Sequence, residues 1–434
     1  MVKILWASDS ATWSSGYGSV TREILTRLGT AKLECYQLGF QWNPGTQQPM
    51  PCLITETVVQ NGQRVRMWRT LPFTMLAGSG NRMMDPFAWN TYPHYLNTIQ
   101  PDYLITFGDL WHFDHLLSPN YNFKSAQNPK HPAWYAYFEI DGAPLKHSFK
   151  PILDKPNLVI SASKFGEEAI KKLTDNKVTT IWHGVDTNIF KPMDKIAAKK
   201  FIMDVCLKDP RNTEEFRKKF VEKVPFIFGY VGRNTERKRI DRLMRAYELF
   251  LERNPEAKND TFLMMNTDPN DVNMSEQDVD DFRTKFNIRD NTSYFALSPN
   301  YNFQSTTEEL VVLYNAMDTF VSSNSGEGFG VVFAEASACG IPSITTDYTS
   351  AEELIGNRGW RVPVSDWYWY SRQNIRRALV DINKFADAMT EAYQKDAYRK
   401  NLGNQAYRFA KENLDWNDCI MKKWFEILNG EKNG

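Results

Sequence analysis

The sequence has no excess of charge of either sign, because 52 Lys and Arg residues balance 52 Asp and Glu residues. No global field would attract a polyanion or an anionic membrane, so a charged ligand has to be met by a local cluster. Long apolar runs are also missing: no stretch approaches the ~18 apolar residues of a membrane span, and the first residues enter a strand-like pattern at once. We therefore expect a cytoplasmic protein.

Cysteine is scarce and scattered. The five cysteines form no CxxC pair; they are Cys35, Cys52, Cys206, Cys339 and Cys419. Neither a disulfide framework nor a zinc site is indicated, and a reducing compartment fits this usage. The composition, with 42% hydrophobic and 14% aromatic residues, is that of a folded globular protein.

The chain of 434 residues is long enough for two to three domains at ~150 residues each. Short apolar runs alternate with amphipathic stretches, which predicts the α/β class with parallel sheets wrapped by helices. The predicted strands are 2–7, 103–107, 134–140 and 158–161 in the first half and 225–231, 261–266, 319–323 and 342–346 in the second. The predicted helices of the second half are 238–252, 307–317 and 331–339. Each half is therefore expected to be a Rossmann-like, doubly wound domain.

A polar, Lys-rich segment separates the two halves. It predicts an N-terminal domain over residues 1–190, a linker region over 191–224 and a C-terminal domain over 225–410. The remaining residues, 411–434, are expected to end the chain in a helix.

A glycine-rich turn, Ser325 to Gly330, follows one predicted strand and precedes a helix. Ligands of parallel sheets bind at such carboxyl ends, and the free N–H groups of the helix favour a phosphate. Glu335 lies eight residues after Glu327, which is ~7 Å along a helix that rises ~1.5 Å per residue from near Gly330. The two carboxylates could thus contact different parts of an extended ligand. The alternative is a tight turn with one solvated Glu and a second Glu in the first turn of the helix that interacts with the helix dipole.

A basic run, residues 232–239, follows the other strong strand of the second half. Arg233 could clamp phosphate oxygens with its planar guanidinium, and Lys238, at the expected start of the next helix, adds a point charge. Cations at a helix N-terminus oppose the helix dipole, so their presence favours a functional role over a solvated basic turn.

Three motifs in this order resemble family 4 retaining glycosyltransferases. The stretch SGEGFGVVFAEASACGIPSI, residues 325–344, resembles their Glu-x7-Glu signature, with Glu327 and Glu335 at the acidic positions. Gly232-Arg233 followed by Lys238 resembles their donor-phosphate motif, and WHGVD at 182–186 resembles their His-Gly-Val-Asp segment. The resemblance covers roughly residues 1 to 430, although 40–100 and 365–380 carry no recognised motif.

The resemblance implies the GT-B architecture: two Rossmann-like domains facing a cleft, with the C-terminal helix, 411–434, packing back on the N-terminal domain. It implies a retaining transfer from a UDP- or GDP-sugar to a hydroxyl of a glycan or glycoconjugate, with no metal or other cofactor. Arg233 and Lys238 would neutralise the diphosphate, Glu327 would bind the donor sugar and Glu335 the ribose. The implied donor-binding residues are Gly16, Gly18, Arg233, Lys238, Glu327, Gly328, Phe329, Gly330 and Glu335.

The first loop, Ser14 to Gly18, and the run at 233–241 resemble glycosyltransferases of large DNA viruses in particular. A modified nucleic-acid base is therefore an alternative acceptor, although the neutral net charge weighs against DNA. The identity of the sugar, the nucleoside and the acceptor stays open, as does the oligomeric state.

The family often places a His at the end of a central N-domain strand, whereas Asp141 occupies the matching place here. Asp141 joins Glu327, Arg233 and Lys238 as an expected catalytic residue. His112 and His115 follow the strand at 103–107 and stay candidates for the same role, although packing is the commoner role of a single His.

Three further patterns suggest other functions. Asp278 and Asp280 form an Asp-x-Asp pair that could hold Mg²⁺ or Mn²⁺, but a solvated helix face is the commoner explanation. Gly16 and Gly18 could open a dinucleotide site, yet Thr21 stands where a third glycine belongs. The aromatic run at 366–370 could stack on sugars or bases, which would suit a binding protein without catalysis.

Overall fold

The structure is a computed structural model that describes residues 1–13, 15–40, 42–44, 48–60, 63–78, 85–125, 127–269, 277–294, 306–371 and 373–429. The chain divides into two compact units. The first unit runs from Met1 to His183 and takes up the chain again at Trp416, and the second unit is Gly184–Asp415.

The first unit is built on one eight-stranded sheet in the order β3-β4-β2-β1-β5-β6-β7-β8. Its strands are β1 Lys3–Asp9, β2 Glu34–Phe40, β3 Met50–Gln60, β4 Gln63–Leu76, β5 Tyr103–Gly108, β6 Ala133–Phe138, β7 Leu158–Ser161 and β8 Val178–Thr180. Its helices up to this point are α1 Gly16–Thr30, α2 Tyr92–Ile99, α3 Lys150–Asp154 and α4 Lys164–Lys171. All strand pairs are parallel except β3 with β4. The carboxyl ends of β1, β5 and β6 therefore meet at one edge of the sheet.

The second unit has a parallel six-stranded sheet in the order β11-β10-β9-β12-β13-β14 and a separate hairpin, β15-β16. The strands are β9 Phe226–Val231, β10 Thr261–Asn266, β11 Thr292–Tyr294, β12 Thr319–Ser322, β13 Ser343–Thr346, β14 Trp360–Val362, β15 Val364–Tyr370 and β16 Ile375–Val380. The helices are α5 Lys195–Lys208, α6 Glu214–Phe220, α7 Ile240–Arg253, α8 Val279–Lys285, α9 Thr307–Ala316, α10 Val331–Ala338, α11 Ala351–Leu354, α12 Ile382–Gln394 and α13 Asp396–Asn413. The core of this unit packs the sheet against α7 and α12.

The last helix, α14 (Met421–Asn429), belongs to the first unit. The side chain of Trp424 is fully buried, with its ring 5.5 Å from that of Trp6 on β1 and 5.4 Å from that of Tyr137 on β6. The hydroxyl of Tyr103 donates to the carbonyl of Leu428 at 3.0 Å. The return of the C-terminal helix to the first unit thus follows from burial of one large apolar ring against the central strands.

The segment that the sequence predicts as a linker, 191–224, lies in the second unit and contains α5 and α6. Its polar composition is misleading because one face of each helix is buried. Lys199 is buried and donates to Asp318 Oδ2 at 2.6 Å and to the carbonyl of Pro225 at 2.8 Å. Phe216 and Phe220 are fully buried against Phe262.

The two motif-free regions of the sequence contain the two antiparallel hairpins. β3 and β4 extend the first sheet at its edge, and β15 and β16 form a two-stranded sheet beside the glycine-rich turn. Among the described residues, no helix is both long and apolar enough to cross a membrane.

Candidate functional site

The glycine-rich turn lies between β12 and α10, at the carboxyl end of a central strand of the second sheet. Gly330 is the N-cap of α10, with φ +95°. A Cβ at this position would lie 2.6 Å from the ring of Phe333, so both the backbone conformation and the space require glycine. The N-terminal N–H groups of α10 therefore begin directly after the turn.

The carboxylate of Glu327 is buried and held by two cations. Nη1 of Arg237 lies 2.5 Å from Oε2, and Nζ of Lys238 lies 2.5 Å from Oε1. Burial alone would raise the pKa of Glu327, but the charges and hydrogen bonds of the two cations outweigh it and lower the pKa to about 2. Glu327 is therefore ionised at neutral pH, and the cluster of three side chains carries one net positive charge.

The basic turn is fastened to the glycine-rich turn through its backbone. The N–H of Ser325 donates to the carbonyl of Arg237 at 2.7 Å, and the Ser325 hydroxyl donates to the same carbonyl at 3.0 Å. The hydroxyl of Ser323 donates to the carbonyl of Arg239 at 2.6 Å. These bonds fix where the side chains of Arg237 and Lys238 begin, so both cations are held in place before any ligand binds.

The predicted helix start at residue 238 is wrong. Glu236–Lys238 form a 3₁₀ turn, and α7 begins at Ile240 after Arg239, whose φ is +49°. This extra turn directs Arg237 and Lys238 towards Glu327. Arg233, the expected phosphate ligand, lies exposed on the loop after β9, earlier in the same run.

Glu335 occupies the second acidic position, on α10. Its Oε2 accepts a hydrogen bond from the hydroxyl of Tyr314 on α9 at 2.7 Å. Burial raises the pKa of Glu335 to about 7, against the smaller opposing effect of this hydrogen bond. The environment therefore lowers the pKa of Glu327 and raises that of Glu335, which their spacing in the sequence does not reveal.

Asp141 lies in the first unit, in the loop after β6. The strand ends at Phe138, two residues before its predicted end, because its pairing with β5 and β7 stops there. Burial raises the pKa of Tyr17 well above its usual value, and the charges of Asp109, Glu139 and Asp141 raise it further. Asp141 thus belongs to an acidic group at the carboxyl edge of the first sheet.

His183 is fully buried in the same unit. Its Nδ1 lies 2.8 Å from the hydroxyl of Tyr137, which donates to the carbonyl of Ile181, and its Nε2 lies 2.8 Å from Oε1 of Glu139. Both ring nitrogens of His183 are thus held, one by the phenol oxygen of Tyr137 and the other by the carboxylate of Glu139. The sequence predicts no role for Glu139, and only the tertiary structure brings it to His183.

The other histidines considered for catalysis are packed among aromatic rings. His112 is stacked on Phe87, with ring centroids 4.4 Å apart, and His115 contacts Tyr92 at 4.9 Å. Burial lowers the pKa of each to about 3, so both are neutral at physiological pH.

Gly16 and Gly18 lie at the start of α1 in the first unit, whereas the Glu327 cluster lies in the second unit. The N–H of Gly18 donates to Oγ of the N-cap residue Ser15 at 3.0 Å. A Cβ on Gly18 would lie 2.6 Å from the carbonyl oxygen of Ser10, so close backbone packing already explains this glycine.

The Asp-x-Asp pair lies at the start of α8. Oδ1 of Asp278 accepts from the N–H of Asp281 at 2.9 Å as a helix cap, and Asp280 pairs with the buried Arg283 at 2.9 Å. The two carboxylates therefore have structural partners of their own, on an amphipathic helix rather than at a strand end.

Residues 212–409 match the family model described as Glycosyl transferases group 1. A curated relative, the capsular polysaccharide biosynthesis glycosyltransferase CapM of Staphylococcus aureus, is 25% identical over 195 residues, which are 44% of each chain. This chain thus spans less than half the length of that relative.

Several solved structures resemble the whole chain, among them the following two. Sucrose-phosphate synthase of Thermosynechococcus elongatus has a TM-score of 0.72 at 16% identity, covering 100% of both chains. HepE of Anabaena, solved in complex with UDP-glucose, has a TM-score of 0.68 at 12% identity, covering 99% of this chain and 100% of its own. The expected fold class is confirmed: the chain is α/β, with the GT-B fold and its two Rossmann-like domains.

Proposed function

We propose that this protein, whose residues 212–409 match the group 1 glycosyltransferase family, transfers a sugar from a nucleotide-sugar donor to an acceptor hydroxyl. The observation that carries the proposal is the buried carboxylate of Glu327 between Arg237 and Lys238, at the N-terminus of α10. A sugar nucleotide offers what such a cluster binds: a diphosphate for the cations and hydroxyl groups for the carboxylate.

The leaving diphosphate gains negative charge as the glycosidic bond breaks. Fixed cations stabilise that charge most in the transition state, and they need no reorganisation when their positions are set in advance. Lys238 and Arg237 would fill this role with Arg233, which we retain as a diphosphate ligand on the same run. Positive charge from these residues and from the N–H groups of Phe329 and Gly330 would make a divalent metal unnecessary.

The ionised Glu327 accepts hydrogen bonds and donates none, so it would orient the donor sugar through its hydroxyls. Gly328 leaves room for the sugar next to the backbone, and Glu335 would bind the ribose. Gly16 and Gly18, in the first unit, are also proposed to bind the donor. A UDP-sugar is favoured over a GDP-sugar by the UDP-glucose bound to the structurally similar HepE.

We infer a retaining transfer. In that reaction the bond from the anomeric carbon to the phosphate oxygen breaks, the acceptor oxygen bonds to the same face, and its proton passes to the leaving phosphate. We assign to Asp141, in the first unit, the role of stabilising the positive charge that develops at the anomeric carbon. The acceptor is proposed to be a glycan or glycoconjugate, which is supported by the polysaccharide role named for CapM.

The proposal is tested by measuring nucleoside diphosphate release from a panel of UDP- and GDP-sugars with and without candidate acceptors. We expect release from one donor class, undiminished after exhaustive EDTA treatment, and an unchanged anomeric configuration in the product by NMR. The double variant Arg237→Ala/Lys238→Ala should abolish release. Arg245→Ala, which removes a cation from the outer face of α7, is the matched control.

Three results would each contradict a different part of the proposal: metal independence, retention or catalysis itself. Loss of activity in EDTA that Mn²⁺ restores would overturn metal independence and revive Asp278 and Asp280. An inverted product would overturn retention. Binding of sugar nucleotides with no release under any condition would make the protein a binding module.

A further inference from the structure

The hairpin β15-β16 presents two tryptophans on one face. Side chains alternate along a strand, so Trp367 and Trp369 point to the same side. Their exposed fractions are 39% and 58%. Contiguous apolar surface that is exposed beside polar residues is typical of binding sites.

The ring of Trp367 is held in place by two neighbouring side chains. Arg376 is the cross-strand partner of Trp369, and its guanidinium lies 4.6 Å from the ring centroid of Trp367. Tyr348 contacts the same indole edge to face, with centroids 4.9 Å apart, and its hydroxyl donates to the carbonyl of Arg376 at 2.9 Å. The surface formed by Trp367, Trp369 and Arg376 is called the aromatic platform below, and the ring of Trp367 within it is preorganised for a ligand.

The hairpin is anchored to the glycine-rich turn by a backbone bond and by the side chain of Tyr368 on its opposite face. The N–H of Ala378 donates to the carbonyl of Ser325 at 3.0 Å, and the hydroxyl of Tyr368 lies 3.1 Å from Oγ of Ser325. Ser325 precedes Glu327 by two residues. The aromatic platform is therefore fastened directly to the backbone that carries the proposed donor-sugar ligand.

We propose that the aromatic platform binds the sugar chain of the acceptor, an inference that rests on the proposed glycosyltransferase function. The C–H faces of pyranose rings are apolar and stack on indoles, while their hydroxyls accept hydrogen bonds from a guanidinium. Residues two apart on a strand are about 6.6 Å apart. This spacing spans more than one sugar ring, so the ligand is an oligosaccharide rather than a single sugar.

The charge of the platform favours a glycan over a nucleic acid. Single-stranded nucleic acids bind along grooves that carry several cations in addition to stacking rings. Among the described residues of the hairpin, Arg376 is the cation on this face, since Arg377 points to the other face and is buried against Tyr370. One guanidinium suits neutral or weakly acidic sugars.

The test measures binding of fluorescently labelled linear hexasaccharides of glucose, mannose, galactose and N-acetylglucosamine to the full chain in the absence of donor. Labelled (dT)12 is the nucleic-acid arm. The variants are Trp367→Ala and Trp369→Ala, and Trp68→Ala is the matched control because its indole, on β4 of the first unit, is 72% exposed. UDP binding is measured on every variant by calorimetry.

We expect one hexasaccharide class to bind and its monosaccharide to bind more weakly. Trp369→Ala and Trp367→Ala should each lower the affinity for the hexasaccharide by about tenfold. Trp68→Ala should not change this affinity, and all three variants should bind UDP as the wild type does. In transfer assays the same two variants should raise the KM of a long acceptor and leave donor hydrolysis unchanged.

The inference is overturned if no hexasaccharide binds, if the platform variants bind as well as the wild type, or if Trp68→Ala causes an equal loss. Salt-sensitive binding of (dT)12 at the platform would assign it to nucleic acid instead. A dimer in sedimentation that Trp369→Ala dissociates would assign it to a second copy. Failure of the proposed function has a separate readout, since wild-type protein would then neither bind UDP nor hydrolyse any donor.

Discussion

The hydroxyl of Tyr314 lies 2.7 Å from Oε2 of Glu335, and this carboxyl group has a pKa of about 7 because it is buried. The unfolded chain would release the same proton near 4.5. Between these two values the folded protein binds more protons than the unfolded protein. Its stability therefore falls as the pH rises from about 4.5 to 7, and the loss is complete above that window.

Glu335→Gln should remove this pH dependence, because the amide keeps the shape and does not ionise. We expect the free energy of unfolding of the wild type to fall by at most about 3 kcal/mol more than that of the variant between pH 5 and pH 8. Chemical denaturation at both pH values measures it. Glu391→Gln is the control, since its hydrogen bond from Lys395 lowers the pKa of Glu391. If the free energy of unfolding depended on pH in the same way in the wild type and in Glu335→Gln, the raised pKa of Glu335 would be contradicted.

The two cations on Glu327 make a second prediction. Removing either Arg237 or Lys238 leaves burial less opposed and raises the pKa of Glu327 above its present value of about 2. The acid limb of the activity profile should then move to higher pH in Arg237→Ala and Lys238→Ala, with turnover lowered by roughly 100-fold. Arg233→Ala should lower turnover more than donor affinity without moving the acid limb. An unmoved limb in Arg237→Ala would show that Glu327 does not control that limb.

Asp141→Asn separates a charged role from a capping role, because an Asn side chain still bonds to backbone N–H groups but carries no charge. We expect intact folding and donor binding, with turnover lowered by ~100-fold or more. The control is Asp102→Asn, at the opposite edge of the first sheet, where Asp102 accepts from the N–H of Lys3 at 2.8 Å. Near-normal turnover of Asp141→Asn would show that Asp141 has only a structural role, and Glu139 would become the candidate for the catalytic role.

Tyr368→Phe tests whether the hairpin supports the donor turn. The change removes the hydroxyl that lies 3.1 Å from Oγ of Ser325. Losing one neutral hydrogen bond costs about 0.5–1.5 kcal/mol, so the affinity for the donor should fall by about two- to tenfold. Tyr370→Phe, on the same face of β15, is the matched control. Equal effects of the two variants in a donor titration would show that Ser325 does not depend on Tyr368.

Much of the fold was readable from apolar runs, because strands buried on both faces of a parallel sheet are continuously apolar. The predicted strands 158–161 and 261–266 agree with β7 and β10 at both ends. The linker prediction failed because α5 and α6 are lysine-rich helices with one buried face. The hairpins were missed because their strands lack the continuous apolar run of a strand buried on both faces, as the largely exposed β15 shows, and because neither hairpin carries a motif.

The sequence by itself determined several of the parallel strands and the turns that follow them, and with them the placement of Glu327, Glu335 and the basic run after strands of the second sheet. The tertiary structure alone decided which cations reach Glu327, because a 3₁₀ turn and the left-handed Arg239 direct Arg237 and Lys238 there. It also decided that the pKa of Glu327 is lowered and that of Glu335 is raised. Burial and neighbouring charges set a pKa, and both depend on residues that lie far apart in the chain.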